Sequence, residues 1–556
     1  MAVPTVTIGS AAMGRATAVA ASPATSGAAG RRTAATKRSR RRTKFRAPTN
    51  PPPSATAPIN KASMSSFPPP GRAPYATCGA GVSAANLRTH NRPGDSPIRG
   101  VMMPRMARAG AVALGLLAGA ARLSAQTLRV PYTTFTLPNG LQVLLHEDHS
   151  VPVVAVNTWY HVGSSDERAG RTGFAHLFEH IMFMGSAHVP TGEFDRLLEA
   201  AGADNNGSTT EDRTNYYEDG PANALPLMLY LDSDRLGFLL PEITADKVDI
   251  QRGVVQNERR QSYENRPYGL AQENILDRLY PPNHPYHWPV IGSMQDLQAA
   301  TLEDVRRFFQ TYYTPNNATV AIAGDISPRD ARALVERYFG DIARGPAVTR
   351  TPPPAVHLTA GVAAVLEDRV QLPRVYDAWH TVKAFADDDA VLDVVANVLA
   401  GGRSSRLYRR LVYELQIATD VAAFQDGSRI DGKFEIFATA RPGHELAELQ
   451  RVIDEELEKL AAEGPTAREV ERARNTFEAQ FLSRMERVGG FGGKADQLNF
   501  YNYFVGSPDY FQKDLDRYGR VTAAGVQRAA KIYLTGAHRV VLSVVPQGKP
   551  ELGVKP

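Results

Sequence analysis

The 556-residue sequence holds a single cysteine, Cys78. No internal disulfide can form, and no cysteine-based zinc finger can be built. No run of 18 apolar residues occurs, so no integral membrane segment is expected in the mature chain. Acids are almost missing from the front: residues 1–125 carry 18 Lys and Arg against one acid, Asp95. Residues 126–556 reverse this, with 45 basic against 57 acidic side chains. The net charge of +5 and the pI near 9.1 therefore describe neither part. An acidic body is not expected to bind nucleic acid.

Residues 1–101 are rich in Ala, Ser, Thr, Pro and Arg, with the run Lys37-Arg38-Ser39-Arg40-Arg41-Arg42. They lack apolar periodicity and cannot offset their ordering entropy, so they are expected to form a disordered basic extension. They are absent altogether if translation begins at Met102 or Met103. From there Arg105 and Arg108 precede the apolar run Ala109–Ala121 and the small-residue stretch Leu123-Ser124-Ala125. This order is that of a secretory signal over 102–125, cleaved near Ala125, which places the protein in the periplasm or outside the cell. The rival reading takes the whole front as a transit peptide and places the protein in the mitochondrial matrix.

The body reads as a duplication. Residues 301–320 align with 522–541 without a gap, with Thr301/Thr522, Val305/Val526, Tyr312/Tyr533 and Val320/Val541 identical. Glu147-Asp148 and Trp159 match Glu367-Asp368 and Trp379 at nearly the same offset. Two agreements at opposite ends of one unit point to two copies of a domain. The expected domains are 126–344 and 357–556, joined by a proline-rich linker over 345–356. Strand patterns at Leu141–Leu145, Val151–Tyr160 and Ala318–Ala323 alternate with helical patterns at Gly192–Ala201 and Leu302–Tyr313. The expected fold class is α+β: two homologous domains, each a mostly antiparallel sheet with helices packed on one face.

The sharpest feature is His176-Leu177-Phe178-Glu179-His180. Phe174, Leu177, Phe178 and Ile181 predict a helix, with Thr172 as its N-cap and Gly185 past its end. Four residues apart, His176 and His180 project from one face and can share a metal, with Glu179 beside them to take a proton from water. Nitrogen donors with an open position and a nearby carboxylate suit zinc. A third ligand is needed. Glu258 lies on a second predicted helix, opened by Thr244, where Gln251, Val255 and Glu258 share a face. His146, His149, His161, His188 and His287 lack the spacing of a site and read as surface or packing residues.

On these residues the sequence resembles the inverzincin metallopeptidases, which include pitrilysin, insulin-degrading enzyme and the mitochondrial processing peptidases. That family carries His-x-x-Glu-His and a ligand Glu about as far downstream as Glu258 lies from His180. The resemblance extends over about residues 130–550 and takes in Leu137-Pro138-Asn139-Gly140-Leu141, Pro289-Val290-Ile291-Gly292 and Pro315-Asn316-Asn317. It implies one Zn2+ per chain on His176, His180 and Glu258, with Glu179 as general base. It implies that Asn206-Gly207-Ser208-Thr209 is the substrate strand, Asn206, Gly207 and Thr209 holding an extended peptide. Its substrates are peptides or unfolded segments enclosed in a chamber.

Two departures stand out. Active members usually place a carboxylate seven residues before the ligand Glu, where this sequence has Gln251. They also carry an Arg and a Tyr seven apart after a Ser-Ser-Arg-Leu segment, here Ser404-Ser405-Arg406-Leu407; the expected positions are Val412 and Thr419. Arg406 and Tyr413 have the right separation but lie six residues early. In the second copy His176, Glu179 and His180 fall on Ala396, Leu399 and Ala400, so that half has no metal site. The resemblance thus implies a zinc endopeptidase subunit that needs a homologous sister subunit, in a heterodimer or homodimer, to supply an Arg-Tyr pair. The alternatives are a non-catalytic scaffold on the same fold and a mitochondrial processing peptidase subunit.

Overall fold

The computed structural model describes residues 127–555; the expected basic extension and signal segment lie outside them. The alternating β-branched stretches pair into two sheets. In the first, β1 (Thr133–Thr136), β2 (Gln142–Glu147), β3 (Val153–Tyr160), β4 (Asp204–Thr209), β5 (Thr214–Pro221) and β6 (Ala318–Gly324) take the order β1-β2-β6-β3-β5-β4. In the second, β7 (Val362–Asp368), β8 (Arg374–Thr381), β9 (Ala418–Gly427), β10 (Gly432–Ala440) and β11 (Val540–Pro546) take the order β7-β11-β8-β10-β9. Without β1 the two orders are the same permutation. Each sheet has one parallel pair, β2 with β6 and β7 with β11, and is otherwise antiparallel.

The duplication is therefore written in the topology, although one agreement in the sequence is not a structural equivalence. Trp159 lies opposite Thr319, while the residue opposite Val540 in the second sheet is Ala378, not Trp379. Neighbouring strand residues face opposite ways. Trp159 accordingly points out of its own core, and Trp379 points into its own, edge-on to Phe434.

The first half carries α1 (Phe174–Ile181), α2 (Glu193–Ala200), α3 (Leu225–Phe238), α4 (Ala245–Arg259), α5 (Ala271–Leu279), α6 (Met294–Ala299), α7 (Leu302–Tyr312) and α8 (Pro328–Phe339). The second carries α9 (Asp389–Ala400), α10 (Leu446–Glu463), α11 (Ala467–Met485), α12 (Lys494–Val505), α13 (Phe511–Gly519) and α14 (Ala523–Ala529). Between α8 and β7 the chain runs without helix or strand. Most helices bury an apolar stripe on one face of their own sheet, so Leu177, Phe178, Val305 and Phe309 share a core with Val156 and Tyr160.

The other face of each sheet is covered by a helix from the opposite half. Ile275, Leu276 and Leu279 of α5 pack on Tyr376, Ala378, Leu542 and Val544. Ala495, Leu498 and Tyr501 of α12 pack on Leu144, Ala155, Ala321 and Ala323. The repeated Glu-Asp pair anchors this exchange. Lys494 at the start of α12 donates to Asp148 at 2.6 Å, and the Tyr268 amide ahead of α5 donates to Asp368 at 2.8 Å. Among the described residues no helix is long and apolar enough to cross a membrane.

Candidate metal centre

Helix α1 begins one residue later than expected. Its N-cap is Gly173, in the left-handed region at φ 84°, and not Thr172. Glycine offers no capping side chain, so the Glu167 carboxylate takes that role from a distance, accepting from the Gly173 amide at 2.9 Å and the Ala175 amide at 2.7 Å. Thr172 turns its hydroxyl to Asp296 instead, at 2.6 Å. The helix ends at Ile181, ahead of the Gly185 stop. Phe174, Leu177, Phe178 and Ile181 are buried, which orients His176 and His180 away from the core.

Helix α4 opens as expected, with Thr244 accepting from the Lys247 amide at 3.3 Å. Val248 and Val255 are buried and hold its inner face, and a π-helical turn, Arg260–Glu264, continues it. Glu258 then meets the two histidines: one donor atom from each of His176, His180 and Glu258 lies within 4.8 Å of the others. Both imidazole Nε2 atoms aim at the same carboxylate oxygen, at 3.7 Å from His176 and 3.4 Å from His180. A tetrahedral ion with bonds of about 2.0–2.1 Å sets its donors ~3.3 Å apart, so the set fits zinc. Among the described residues no other such group of metal-ligating side chains occurs.

The electrostatics of the three groups are coupled. Burial, helped by the neighbouring His180, holds His176 below the ordinary imidazole pKa. Burial opposes a proton on His180 too, but the bond to Glu258 and the Glu179 and Glu258 charges outweigh it and raise its pKa. Burial alone would raise Glu258; the two imidazoles hold it below the usual carboxylate value instead. Gln251 lies beside His180, adding to that hydrogen bonding, and gives its amide to Met184 Sδ at 2.7 Å. His176 Nδ1 is buried without a hydrogen-bond partner, so that ring has no partner orienting it from behind.

Glu179 is buried and faces β4. Its Oε2 accepts from Thr209 Oγ1 at 2.5 Å. A Cβ on Gly207 would stand 3.1 Å from Glu179 Oε1, so glycine leaves room for the carboxylate. The strand β4 is the edge of its sheet. The Thr210 amide donates to the Arg213 carbonyl at 2.8 Å to close the β4–β5 turn. By antiparallel alternation Ser208 and Asn206 pair with β5, whereas Gly207 and Thr209 present N–H and C=O to the open side. There the Gly207 amide is met by Asn206 Oδ1 at 2.8 Å. The structure thus brings Glu179, Thr209 and Gly207 together beside the metal-ligating group.

It does not assemble the alternative Arg-Tyr pair. Arg406 is engaged with Glu469, at 2.8 and 3.0 Å, and with the Gly464 carbonyl, while Tyr413 is 74% exposed. Val412 is half-buried against the second core and Thr419 is exposed on β9. Ala396 and Leu399 are buried on α9, which keeps a packing face without ligands. The remaining histidines bind elsewhere: His146 to the Pro131 carbonyl, His149 to Glu147 and Asp325, His188 to Asp234, His287 to the Tyr280 carbonyl. His161 stacks on Tyr503 at 4.5 Å, and burial beside Arg350 and Arg429 pushes its pKa down to about 4.

The insulinase (peptidase family M16) profile matches residues 142–284, and the peptidase M16 inactive-domain profile matches residues 299–477. The chain is 30% identical over 402 residues to the zinc protease PqqE of Helicobacter pylori, covering 71% of this chain and 89% of that protein. The chain belongs to peptidase family M16. A crystal structure of a protease from Helicobacter pylori superposes at TM-score 0.68 with 26% identity, covering 75% of this chain and all of that one. An M16 inactive-domain structure from Pseudomonas fluorescens superposes at TM-score 0.66 with 20% identity over 76% of this chain and all of that one, a likeness of fold. The M16 profile covers both histidines and Glu258, and the inactive-domain profile covers α9, where they are missing. Two features of this M16 chain escape sequence reasoning: Glu167, whose role depends on a glycine cap, and the contacts of Asp296.

Proposed function

We propose that the chain is the metal-bearing subunit of a zinc endopeptidase that cleaves peptides or unfolded segments. The observation that carries this is the convergence of His176, His180 and Glu258 at zinc-like spacing, with Glu179 beside the open edge of β4. When bound, zinc supplies Lewis acidity to water and to the peptide carbonyl. Gly207 and Thr209 align an extended peptide through the backbone groups they turn to the open side, with Asn206 Oδ1 giving up the Gly207 amide to it. Thr209 fixes one oxygen of Glu179 and leaves the other to take the proton of the attacking water. Later that proton passes to the leaving amine.

A sister subunit is part of the proposal. Val412 and Thr419 can neither carry positive charge nor give a phenol, and Arg406 is held by Glu469. A homologous partner closing over the β4 edge supplies the missing cation and hydroxyl and encloses the substrate. Export to the periplasm or beyond belongs to the same proposal, with Gln126 expected at the mature N-terminus by Edman or mass analysis. The test of function is cleavage of a mixed unfolded-peptide substrate by the purified chain, alone and with a candidate sister subunit, with Glu179→Gln as control. Activity that needs the partner and vanishes in Glu179→Gln supports the reading. Stoichiometric zinc without cleavage under any pairing supports a scaffold instead.

A further inference from the structure

The two helices that carry the metal-ligating side chains touch a common segment, Pro289–Asp296, which includes the Pro-Val-Ile-Gly stretch. On the α1 side, Asp296 Oδ2 accepts from the Thr172 amide at 3.0 Å and from its hydroxyl at 2.6 Å. The Ser293 amide donates to Thr172 Oγ1 at 3.0 Å, and Ser293 Oγ accepts from the Asp296 amide at 3.0 Å. Gly292 lies against the Gly173 cap: a Cβ on Gly292 would stand 2.3 Å from the Gly173 nitrogen, and one on Gly173 would stand 2.7 Å from the Ile291 carbonyl. Both glycines also have positive φ, 70° and 84°. No other residue fits this crossing.

On the α4 side, Arg259 directly follows Glu258. Its Nη1 donates to the Gly292 carbonyl at 2.7 Å, and its Nη2 donates to Glu273 at 2.7 Å. The residue is only 6% exposed. Two turns earlier Arg252 donates to the Ala300 carbonyl at 2.6 Å, just beyond the segment. The chain therefore grips the start of α1 with Asp296 and the end of α4 with the Gly292 carbonyl, seven residues upstream of Ala299 at the close of α6.

We infer that Pro289–Asp296 is a positioning strap that sets the separation of α1 and α4, and hence the geometry of His176, His180 and Glu258. Its positioning residues are Asp296, Gly292, Arg259 and Thr172; none touches substrate. The inference rests on the zinc reading for its purpose but not for its mechanics. Buried hydrogen bonds to charged groups are stronger than neutral ones, and leaving one partner unpaired costs the desolvation of that group, so they hold a helix end in register. Partners that orient metal ligands from behind typically change affinity by about 10–100-fold when lost.

The test uses the full chain, zinc as the only ligand, and the variants Asp296→Ala, Asp296→Asn, Thr172→Val and Gly292→Ala. Zinc dissociation constants come from chelator competition; amide exchange of α1 and α4 is followed in the zinc-free protein. Asp296→Ala and Gly292→Ala are expected to weaken zinc by about 10–100-fold. They should also speed exchange about tenfold or more in the first turn of α1 and the last turn of α4 together. Asp296→Asn keeps one acceptor for Thr172 and should stay within about threefold of the parent. Thr172→Val is the milder variant if Asp296→Ala fails to fold. Parent-like affinity with exchange altered in α1 alone, or in neither helix, overturns the strap. A parent that binds no zinc while both helices loosen together leaves the strap standing and removes the zinc reading.

Discussion

At the residue scale, the account turns on Glu179. Its neighbours are set for proton transfer, with Thr209 holding one oxygen and Gly207 leaving space for the other. Glu179→Gln is expected to lower kcat by about 10²–10⁴-fold while zinc content stays unchanged, since this side chain is not among the three converging donors. Thr209→Val removes the donor to a buried carboxylate and should cost about 10–100-fold in kcat with little change in KM, measured by progress curves on a labelled peptide. Glu179 was legible because the His-x-x-Glu-His spacing places it on one helical face with His176 and His180, whereas Thr209 and Gly207 came only with the family resemblance. Glu167 was not legible, because a cap is normally sought immediately before its helix. Here a glycine occupies that place, and the carboxylate arrives from six residues upstream of it.

At the element scale, the strands β2, β3 and β6 and the helices α1, α2, α4 and α7 were readable from periodicity. What periodicity could not give was the partner of each apolar face. The buried residues of α12, Ala495, Leu498 and Tyr501, cover the first sheet and not their own. The tryptophan pair misled for a related reason: a one-residue shift on a strand turns a side chain to the other face. The helix α9, which stands where α1 stands in the first half, holds an ionisable group that makes a pH prediction possible. Burial, reinforced by Asp389, raises Asp393 to about 8 against the bond from Tyr518, and burial beside Asp204 raises Asp219 of β5 to about 7. A carboxyl raised in the folded state contributes its stability below its unfolded pKa and loses it as pH climbs through the folded value. Glu469 is depressed from 4.5 to about 2, mainly by its bond to Arg406 working against burial, so its contribution is complete above its unfolded value and is lost only as pH falls toward 2. His161, depressed to about 4, works the other way up to its ordinary value of 6.5, so between about pH 6.5 and 9 the unfolding midpoint should fall, and Asp393→Asn should flatten that slope in thermal scans. A slope identical to the parent's contradicts this.

At the scale of the whole molecule, the repeat was visible in the sequence, but the exchange of α5 and α12 was not. Each half lends a helix to the other, and Leu144, Ala155, Ala321 and Ala323 of the first sheet are buried with Ala495, Leu498 and Tyr501 of α12 and Phe481 and Met485 of α11. Each such buried aliphatic or aromatic side chain contributes on the order of 1–3 kcal/mol, so a half on its own leaves one sheet face bare. The chain from residue 126 is expected to unfold in one cooperative calorimetric transition, and residues 126–344 alone should not give a soluble folded domain; two resolved transitions contradict the exchange.

The central claim is that this chain assembles one zinc centre from His176, His180 and Glu258. It is tested most directly by zinc content per folded chain after dialysis, measured for the parent, for His180→Ala and for Glu258→Ala. One equivalent in the parent, lost in both variants while their folded spectra persist, is the expected result. A folded parent without stoichiometric zinc, or variants that keep it, contradicts the account.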